Sequence, residues 1–139
     1  MLAKLYSNTV PVVKSSELKD WKAKQNLTIL DTREPNEFGV SQIEGALVVG
    51  YDNIDWSKID PLNPNDTIVV YCSVGYRSER IGEQLLKKGF KQVYNLYGGI
   101  FDWVNNGNPV YLANEQTPRV HGYSKSWGKW LTKGEKVYD

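Results

Sequence analysis

One segment decides the fold, and it reads Ile68-Val69-Val70-Tyr71-Cys72-Ser73-Val74-Gly75-Tyr76-Arg77-Ser78. Its first four residues are typical of a buried strand, and they lead directly to Cys72, the only cysteine in the chain of 139 residues. Gly75 allows the following turn to close tightly, so that several backbone N–H groups can point at the sulfur. The sequence therefore predicts a thiol in a turn that can hold a negative charge.

A helix is expected to begin just after Arg77. Ile81 and Leu85 have helical spacing, and Gly89 is placed to end the helix. The unsatisfied first amides of this helix and the positive end of its dipole would face the turn, and Arg77 adds a full positive charge. Because each of these effects favours a thiolate, we expect Cys72 to be largely ionised near neutral pH.

A structural role for Cys72 is the alternative. A single cysteine at the end of a buried strand is often no more than a small apolar filler. Here the strand, the turn with its glycine, the arginine and the helix all agree, which favours a functional thiolate. Since no second cysteine can close an internal disulfide, any sulfur that Cys72 carries must leave to another molecule.

Strands and helices alternate along the chain. The predicted strands lie at residues 10–13, 28–31, 47–49, 68–71 and 93–96. The predicted helices lie at residues 15–24, 55–59 and 100–105, and two more begin at Pro35 and just after Arg77. This alternation predicts an α/β fold with a central parallel sheet of about five strands and helices on both faces. Such sheets bind ligands at the carboxyl ends of their strands, where Asp31 and Cys72 both lie.

Four segments resemble the signatures of the rhodanese (sulfurtransferase) family, and they occur in that family's order. Besides the Cys72 segment they are residues 31–38 (Asp-Thr-Arg-Glu-Pro-Asn-Glu-Phe), 43–46 (Ile-Glu-Gly-Ala) and 96–103 (Leu-Tyr-Gly-Gly-Ile-Phe-Asp-Trp). The resemblance covers residues 5–110. It implies a single rhodanese-like domain over residues 1–110, followed by a C-terminal extension over residues 111–139.

The resemblance also implies a function, namely a sulfurtransferase that carries sulfur as a persulfide on Cys72. The donor would be thiosulfate, polysulfide or a persulfide, and the acceptor a thiol, cyanide or a protein; no cofactor or metal is implied. The residues expected to bind the substrate are Ser73, Val74, Gly75, Tyr76, Arg77 and Ser78. Asp31 and Arg33 are expected to form an ion pair that braces this loop, with substrate contact as the alternative.

Three of these residues have more than one candidate role. Arg77 could hold the loop through Asp31 or Glu34, or it could face the entering anion. Tyr76 could line the mouth of the pocket or be an exposed turn residue. Ser78 is expected to cap the helix.

The length of the loop separates two chemistries. Cys72 and Arg77 form a Cys-x4-Arg loop, whereas phosphatases of the cell-cycle type, which share the family's fold, carry a Cys-x5-Arg loop that can wrap a phosphate. The shorter loop disfavours a phosphatase or an arsenate reductase. Ser73 and Val74 are neutral where rhodaneses that use thiosulfate well tend to be basic, which argues against thiosulfate as the physiological donor.

Composition excludes several classes of partner. The chain has 17 basic and 16 acidic residues and a net charge of +1, so nothing in the charge balance suggests nucleic acid or an acidic membrane surface. No stretch approaches the roughly 20 apolar residues that span a bilayer. The N-terminus lacks the features of a signal peptide, and together with the single cysteine this predicts a cytoplasmic protein.

Aromatic and basic residues alternate in the extension. They are Tyr111, Tyr123, Trp127, Trp130 and Tyr138, with Lys125, Lys129, Lys133 and Lys136. Such a surface can bind a partner, but aromatic residues more often pack on the domain that carries them, and we expect packing here. His121, the only histidine, is expected to be a turn or packing residue rather than a catalytic base.

A function from another class stays open. The chain could be a non-catalytic binding or regulatory module that keeps the fold and recognises a partner through its extension. The presence of both Cys72 and Arg77 counts against this reading.

Overall fold

The architecture was taken from a computed structural model that describes residues 5–24 and 26–139. The first part of the chain forms strands β1 (Val12–Val13), β2 (Thr28–Asp31), β3 (Leu47–Val48), β4 (Thr67–Tyr71) and β5 (Gln92–Leu96), and helices α1 (Ser15–Lys24), α2 (Pro35–Phe38), α3 (Tyr76–Lys87) and α4 (Gly99–Asn105). A 3-10 turn covers Trp56–Lys58. The last part forms β6 (Val110–Leu112), β7 (Glu115–Thr117), β8 (Arg119–His121), α5 (Lys125–Gly128) and β9 (Glu135–Val137).

The five strands of the first part form one parallel sheet in the order β1-β5-β4-β2-β3. The central strand β4 is buried on both faces, which is why its residues are almost all apolar. Leu18 of α1 and Phe101 of α4 lie in the core on one face. Ile81 and Leu85 of α3 lie in the core on the other face. The predicted α/β fold, a parallel sheet of five strands with helices on both faces, is confirmed.

Most strand boundaries differ from the predictions by one or two residues, and two of the helices differ in a way that affects the site or the type of helix. Helix α3 begins at Tyr76, two residues before the predicted start, because Gly75 adopts a left-handed conformation with φ of 111° and ends the turn there. Ser78 therefore lies inside the helix, and the prediction that it caps α3 is wrong. The short helix expected at residues 55–59 is a single 3-10 turn that begins after Asp55.

The extension contacts the first part of the chain through apolar side chains. Val120 and Leu131 are fully buried and belong to the same core as α1 and α4. The predicted boundary at residue 110 falls inside β6, and Tyr111 of this strand exchanges backbone hydrogen bonds of 2.8 Å with Gln42. The extension therefore shares the core of the sheet, and a division of the chain at residue 110 stays a prediction.

None of the helices in the described parts of the chain is long and apolar enough to cross a membrane.

Candidate functional site

Cys72 lies at the carboxyl end of the central strand β4, where sheets of this kind bind ligands. The residue is only 1% exposed, so that its sulfur lies at the floor of a recess rather than on the surface. The amide of Gly75 donates a hydrogen bond of 3.1 Å to Sγ. Among the described residues the turn thus brings one backbone donor to the sulfur, where the strand and glycine pattern had predicted several.

The conformation of Gly75 is held by Tyr6. A Cβ atom at position 75 would lie 2.1 Å from Oη of Tyr6, so no larger residue fits there. The Tyr6 hydroxyl donates a hydrogen bond of 2.5 Å to the carbonyl of Val74 and accepts one of 3.0 Å from the amide of Gly98. Burial raises the pKa of Tyr6, which keeps this hydroxyl protonated and able to donate. The N-terminal segment thereby fixes the turn around the sulfur.

Ser78 supports the turn from below. Its hydroxyl lies 3.5 Å from Sγ of Cys72 and 2.6 Å from Oδ1 of Asn95. The amide group of Asn95 donates a hydrogen bond of 2.9 Å to the carbonyl of Gly75. A serine hydroxyl has one proton, and Oδ1 of Asn95 can only accept, so Ser78 donates this proton to Asn95. Ser78 and the fully buried Asn95 form a polar support for the cysteine loop, and sequence reasoning missed Asn95.

Arg77 is held by Glu37, and the predicted partners Asp31 and Glu34 are wrong. Two hydrogen bonds of 2.7 Å join the guanidinium to the two carboxylate oxygens of Glu37. The same guanidinium donates a bond of 3.0 Å to Oγ of Ser73, which in turn donates to Glu37 at 3.0 Å. The loop of Cys72 is therefore tied to α2 through a closed set of charged hydrogen bonds.

The ion pair is nearly dry, and this affects the pKa of both partners. Burial alone would raise the pKa of Glu37, but the hydrogen bonds and charge of Arg77 outweigh burial and lower the pKa below its ordinary value of 4.5. Burial would lower the pKa of Arg77, but Glu37 and the neighbouring Cys72 raise it. Arg77 is a permanent cation whose charge is compensated by Glu37.

Asp31 and Arg33 form a second ion pair, and both are fully buried. Two hydrogen bonds of 2.9 and 2.7 Å join them, and Arg33 also donates to the carbonyl of Ser41 at 2.6 Å. Tyr71, the residue before the cysteine, donates to Asp31 at 2.6 Å. The pair is thus joined to the end of β4 through the Tyr71 hydroxyl.

Helix α4 binds the cysteine loop from the opposite side. The amide of Ile100 donates to the carbonyl of Cys72 at 2.9 Å, and the amide of Phe101 donates to the carbonyl of Ser73 at 3.2 Å. These are two of the first amides of α4, which have no partner within the helix itself. The approach is so close that a Cβ atom at Gly99 would lie 2.4 Å from both carbonyl oxygens. The Gly-Gly turn quoted above is therefore a packing requirement of the site.

A cavity of about 250 Å³ lies above the sulfur. Its lining residues are Leu5, Cys72, Ser73, Val74, Tyr76, Arg77, Tyr123 and Trp127. Of the residues predicted to bind substrate, Ser73, Val74, Tyr76 and Arg77 line it, while Gly75 and Ser78 contact the sulfur from the turn. Tyr76 is 47% exposed, in agreement with a position at the mouth.

Sequence reasoning missed Glu37, Tyr123 and Trp127. Glu37 carried one signal, since it follows Glu34 by three residues at a helix start, where its side chain accepts a bond of 3.0 Å from the amide of Glu34. No sequence feature near Glu37 indicated that its carboxylate would bind Arg77. Tyr123 and Trp127 belong to the aromatic pattern of the extension, but that pattern does not say which of its members reach the sulfur.

In the described residues, no group of three or more histidine, cysteine, aspartate or glutamate side chains is arranged to hold a metal ion. His121 is buried, lies 2.9 Å from the carboxylate of Asp139 and accepts a bond of 3.0 Å from the amide of Tyr123. It supports the backbone of the extension.

The chain is similar to several known proteins. It is 35% identical over 79 residues to the putative sulfur carrier protein YrkF of Bacillus subtilis, which is 57% of this chain and 42% of that protein. It is 32% identical over 104 residues to the thiosulfate sulfurtransferase GlpE of Coxiella burnetii, which is 72% of this chain and 94% of that protein. The solved rhodanese-like domain of Alr3790 from Anabaena superposes with a TM-score of 0.67 at 24% identity, covering 73% of this chain and 79% of that one.

These matches cover only part of each relative. The chain spans less than half the length of the first curated relatives, 42% of YrkF and 24% of the probable adenylyltransferase/sulfurtransferase MoeZ of Mycobacterium tuberculosis. The similarity therefore concerns only the shared part of each. That part is well defined, because the family model for the rhodanese-like domain matches residues 14–106. The chain belongs to the rhodanese-like domain family.

Proposed function

We propose that this protein is a sulfurtransferase that carries a sulfane sulfur as a persulfide on Cys72. The observation that carries the proposal is the position of Sγ at the floor of an open cavity, 3.1 Å from the amide of Gly75. An amide donor in a water-poor recess stabilises a negative sulfur, in the way that an oxyanion hole stabilises a negative oxygen. Relatives named as a sulfur carrier and a thiosulfate sulfurtransferase support the same chemistry.

The reaction is a double displacement that needs no redox partner. With thiosulfate, the Cys72 thiolate attacks the outer sulfur, the sulfur–sulfur bond of thiosulfate breaks, and sulfite leaves with its electron pair. A new sulfur–sulfur bond leaves Cys72 as a persulfide anion. An acceptor thiolate or cyanide then attacks the outer sulfur of the persulfide and regenerates the Cys72 thiolate.

Each residue of the site has a proposed part in this sequence. The amide of Gly75 stabilises the sulfur anion, and Ser78 and Asn95 support the turn that presents this amide. Arg77 and Ser73 hold the loop in shape through Glu37. Asp31 and Arg33 are proposed as positioning residues, because both are buried and are joined to the end of β4 through the Tyr71 hydroxyl.

Intact mass measurement tests the proposal. The purified protein is incubated with thiosulfate and separately with polysulfide, beside the variant Cys72→Ser, and then treated with cyanide. We expect the mass of one sulfur to be gained by the unmodified protein from at least one donor and lost to cyanide as thiocyanate. The serine variant should gain none while keeping the circular dichroism spectrum of the parent.

Two other outcomes have definite meanings. If neither donor adds sulfur to the unmodified protein, the non-catalytic binding module replaces the sulfurtransferase. Cys72-dependent hydrolysis of an aryl phosphate would instead revive the phosphatase, which the six-residue loop and the pairing of Arg77 with Glu37 disfavour.

A further inference from the structure

We propose that Tyr123 and Trp127 of the C-terminal extension form a specificity wall above Cys72 that selects sulfur donors with an aromatic leaving group. The inference rests on the proposed sulfur transfer and names its class of substrate. Both residues line the cavity over the sulfur, although they lie more than 50 positions after it in the chain. We call these two side chains the aromatic wall.

The first argument is the chemical character of the cavity. Apart from Cys72, Ser73 and Arg77, its lining consists of apolar or aromatic side chains, namely Leu5, Val74, Tyr76, Tyr123 and Trp127. Apolar cavities of about 150 Å³ are large enough to bind benzene. At about 250 Å³, this one has room for an aromatic ring in addition to the reacting sulfur.

The second argument is the absence of a free positive charge at the described lining residues. Arg77 is the only cation there, and both carboxylate oxygens of Glu37 already bind it at 2.7 Å. The ring of Tyr123 covers its guanidinium, with 4.8 Å from Cζ to the ring centroid. The doubly charged thiosulfate would lose its hydration without gaining an uncompensated partner. An apolar leaving group gains free energy from the same surface.

The third argument is that the aromatic wall is held in place. The amide of Tyr123 binds Nδ1 of the buried His121, and the amide of Trp127 lies 3.3 Å from Oγ of Ser124, which caps α5. Gly128 lies against the ring of Tyr138, where a Cβ atom would come within 2.1 Å of the tyrosine oxygen. Tyr123 and Trp127 thus line the cavity from a braced segment of the extension.

Two donors with one reacting group test the specificity. Benzenethiosulfonate and methanethiosulfonate are both monoanions, and they differ only in the group behind the sulfonyl. In each case the Cys72 thiolate attacks the outer sulfur, the bond between the two sulfur atoms breaks, and a sulfinate leaves with its electron pair. The product on the protein is the same persulfide, so rates of loading can be compared directly by stopped-flow and intact mass.

We expect the second-order rate constant for loading of the unmodified protein to be about tenfold larger with benzenethiosulfonate than with methanethiosulfonate, as burial of a phenyl ring against an aromatic surface would give. Trp127→Ala should bring this ratio close to one, and Trp127→Phe should keep most of it. Trp130→Ala is the matched control, since Trp130 is a half-buried tryptophan of the same segment that does not line the cavity.

Because Trp127→Ala could destabilise the fold, a second variant changes the aromatic wall but keeps Trp127. Tyr123 is 48% exposed and has φ of 67°, a conformation that asparagine tolerates, so Tyr123→Asn should fold and should also lower the ratio. Equal efficiency for the two donors in the unmodified protein, or an unchanged ratio in the folded variants, would overturn the aromatic wall. Failure of both thiosulfonates to load Cys72 in an unmodified protein that polysulfide does load would also overturn the aromatic wall. Failure of every donor, thiosulfate and polysulfide included, would instead overturn the proposed function.

Discussion

At the scale of single residues, one carboxylate organises the cysteine loop. Glu37 accepts hydrogen bonds from Arg77 and Ser73 of the loop and from the amide of Glu34 at the start of its own helix. It is 2% exposed and therefore depends on these partners for the solvation that water does not supply. Removing its charge would leave Arg77 half-buried without its counter-charge, which is more costly than losing an exposed ion pair.

The lowered pKa of Glu37 predicts a pH dependence of stability. A carboxyl group whose pKa is lower in the folded than in the unfolded protein stabilises the fold above its ordinary pKa of 4.5, and this stabilisation is lost as pH falls through the lower folded value. We therefore expect the variant Glu37→Gln to be less stable than the parent at pH 7. The difference in unfolding free energy should shrink between pH 5 and pH 3.

Urea unfolding at several pH values measures this difference. The other carboxyl groups titrate in both proteins, so their contributions cancel in the comparison. If the difference in unfolding free energy between the two proteins stays constant down to pH 3, ionisation of Glu37 does not stabilise the fold.

At the scale of secondary-structure elements, the site is the meeting point of one strand end and two helix starts. The loop after β4 enters α3 through Gly75, and the first amides of α4 bind the carbonyls of Cys72 and Ser73. Backbone groups therefore fix the conformation of the loop on both sides, and backbone groups have less conformational freedom than side chains. This makes the junction of α4 with the loop sensitive to any added atom.

Gly99→Ala tests this junction. The substitution places a methyl group 2.4 Å from two carbonyl oxygens at a residue with φ of 61°. We expect a loss of stability larger than the roughly 1–3 kcal/mol of backbone strain alone, and slower loading of sulfur onto Cys72. Gly107→Ala is the control, because Gly107 has φ of 84° and nothing lies within 4 Å of its added Cβ. Equal losses of stability and normal loading in both variants would contradict the packing role of Gly99.

At the scale of the whole molecule, the extension completes both the core and the cavity. Val120 and Leu131 are fully buried in the core that α1 and α4 share, and the side chain of Asn105 accepts hydrogen bonds from the amides of Thr132 and Lys133. The same segment brings Tyr123 and Trp127 to the cysteine. Stability and pocket shape are therefore coupled through residues far from Cys72 in the chain.

The variant Leu131→Ala tests how much the extension contributes to the stability of the fold. Truncation of a fully buried leucine removes apolar burial and leaves a cavity, which together cost about 2–5 kcal/mol of unfolding free energy. Urea unfolding of this variant beside Lys133→Ala, an exposed position of the same segment, measures the cost. A loss no larger than that of the lysine variant would mean that the extension does not stabilise the fold.

The sequence by itself determined the parallel sheet, the order of the helices along the chain and the turn between β4 and α3 that contains Cys72. These features follow from local patterns, namely apolar runs, helical spacing and the glycine before α3, which the chain carries within a few residues of each element. Even here the predicted start of α3 was two residues too late, because the spacing of Ile81 and Leu85 does not show that a left-handed Gly75 ends the turn.

Only the tertiary structure decided which side chains meet around the sulfur. Glu37 lies 40 positions before Arg77, and Asn95 lies 17 positions after Ser78. Tyr123 and Trp127 reach the cavity from the extension. Such pairs have no periodicity along the chain, because parallel strands and their crossovers bring distant segments to one edge of the sheet. The chemistry of the thiol could be read locally, whereas its counter-charge and the wall of its pocket depended on how the whole chain packs.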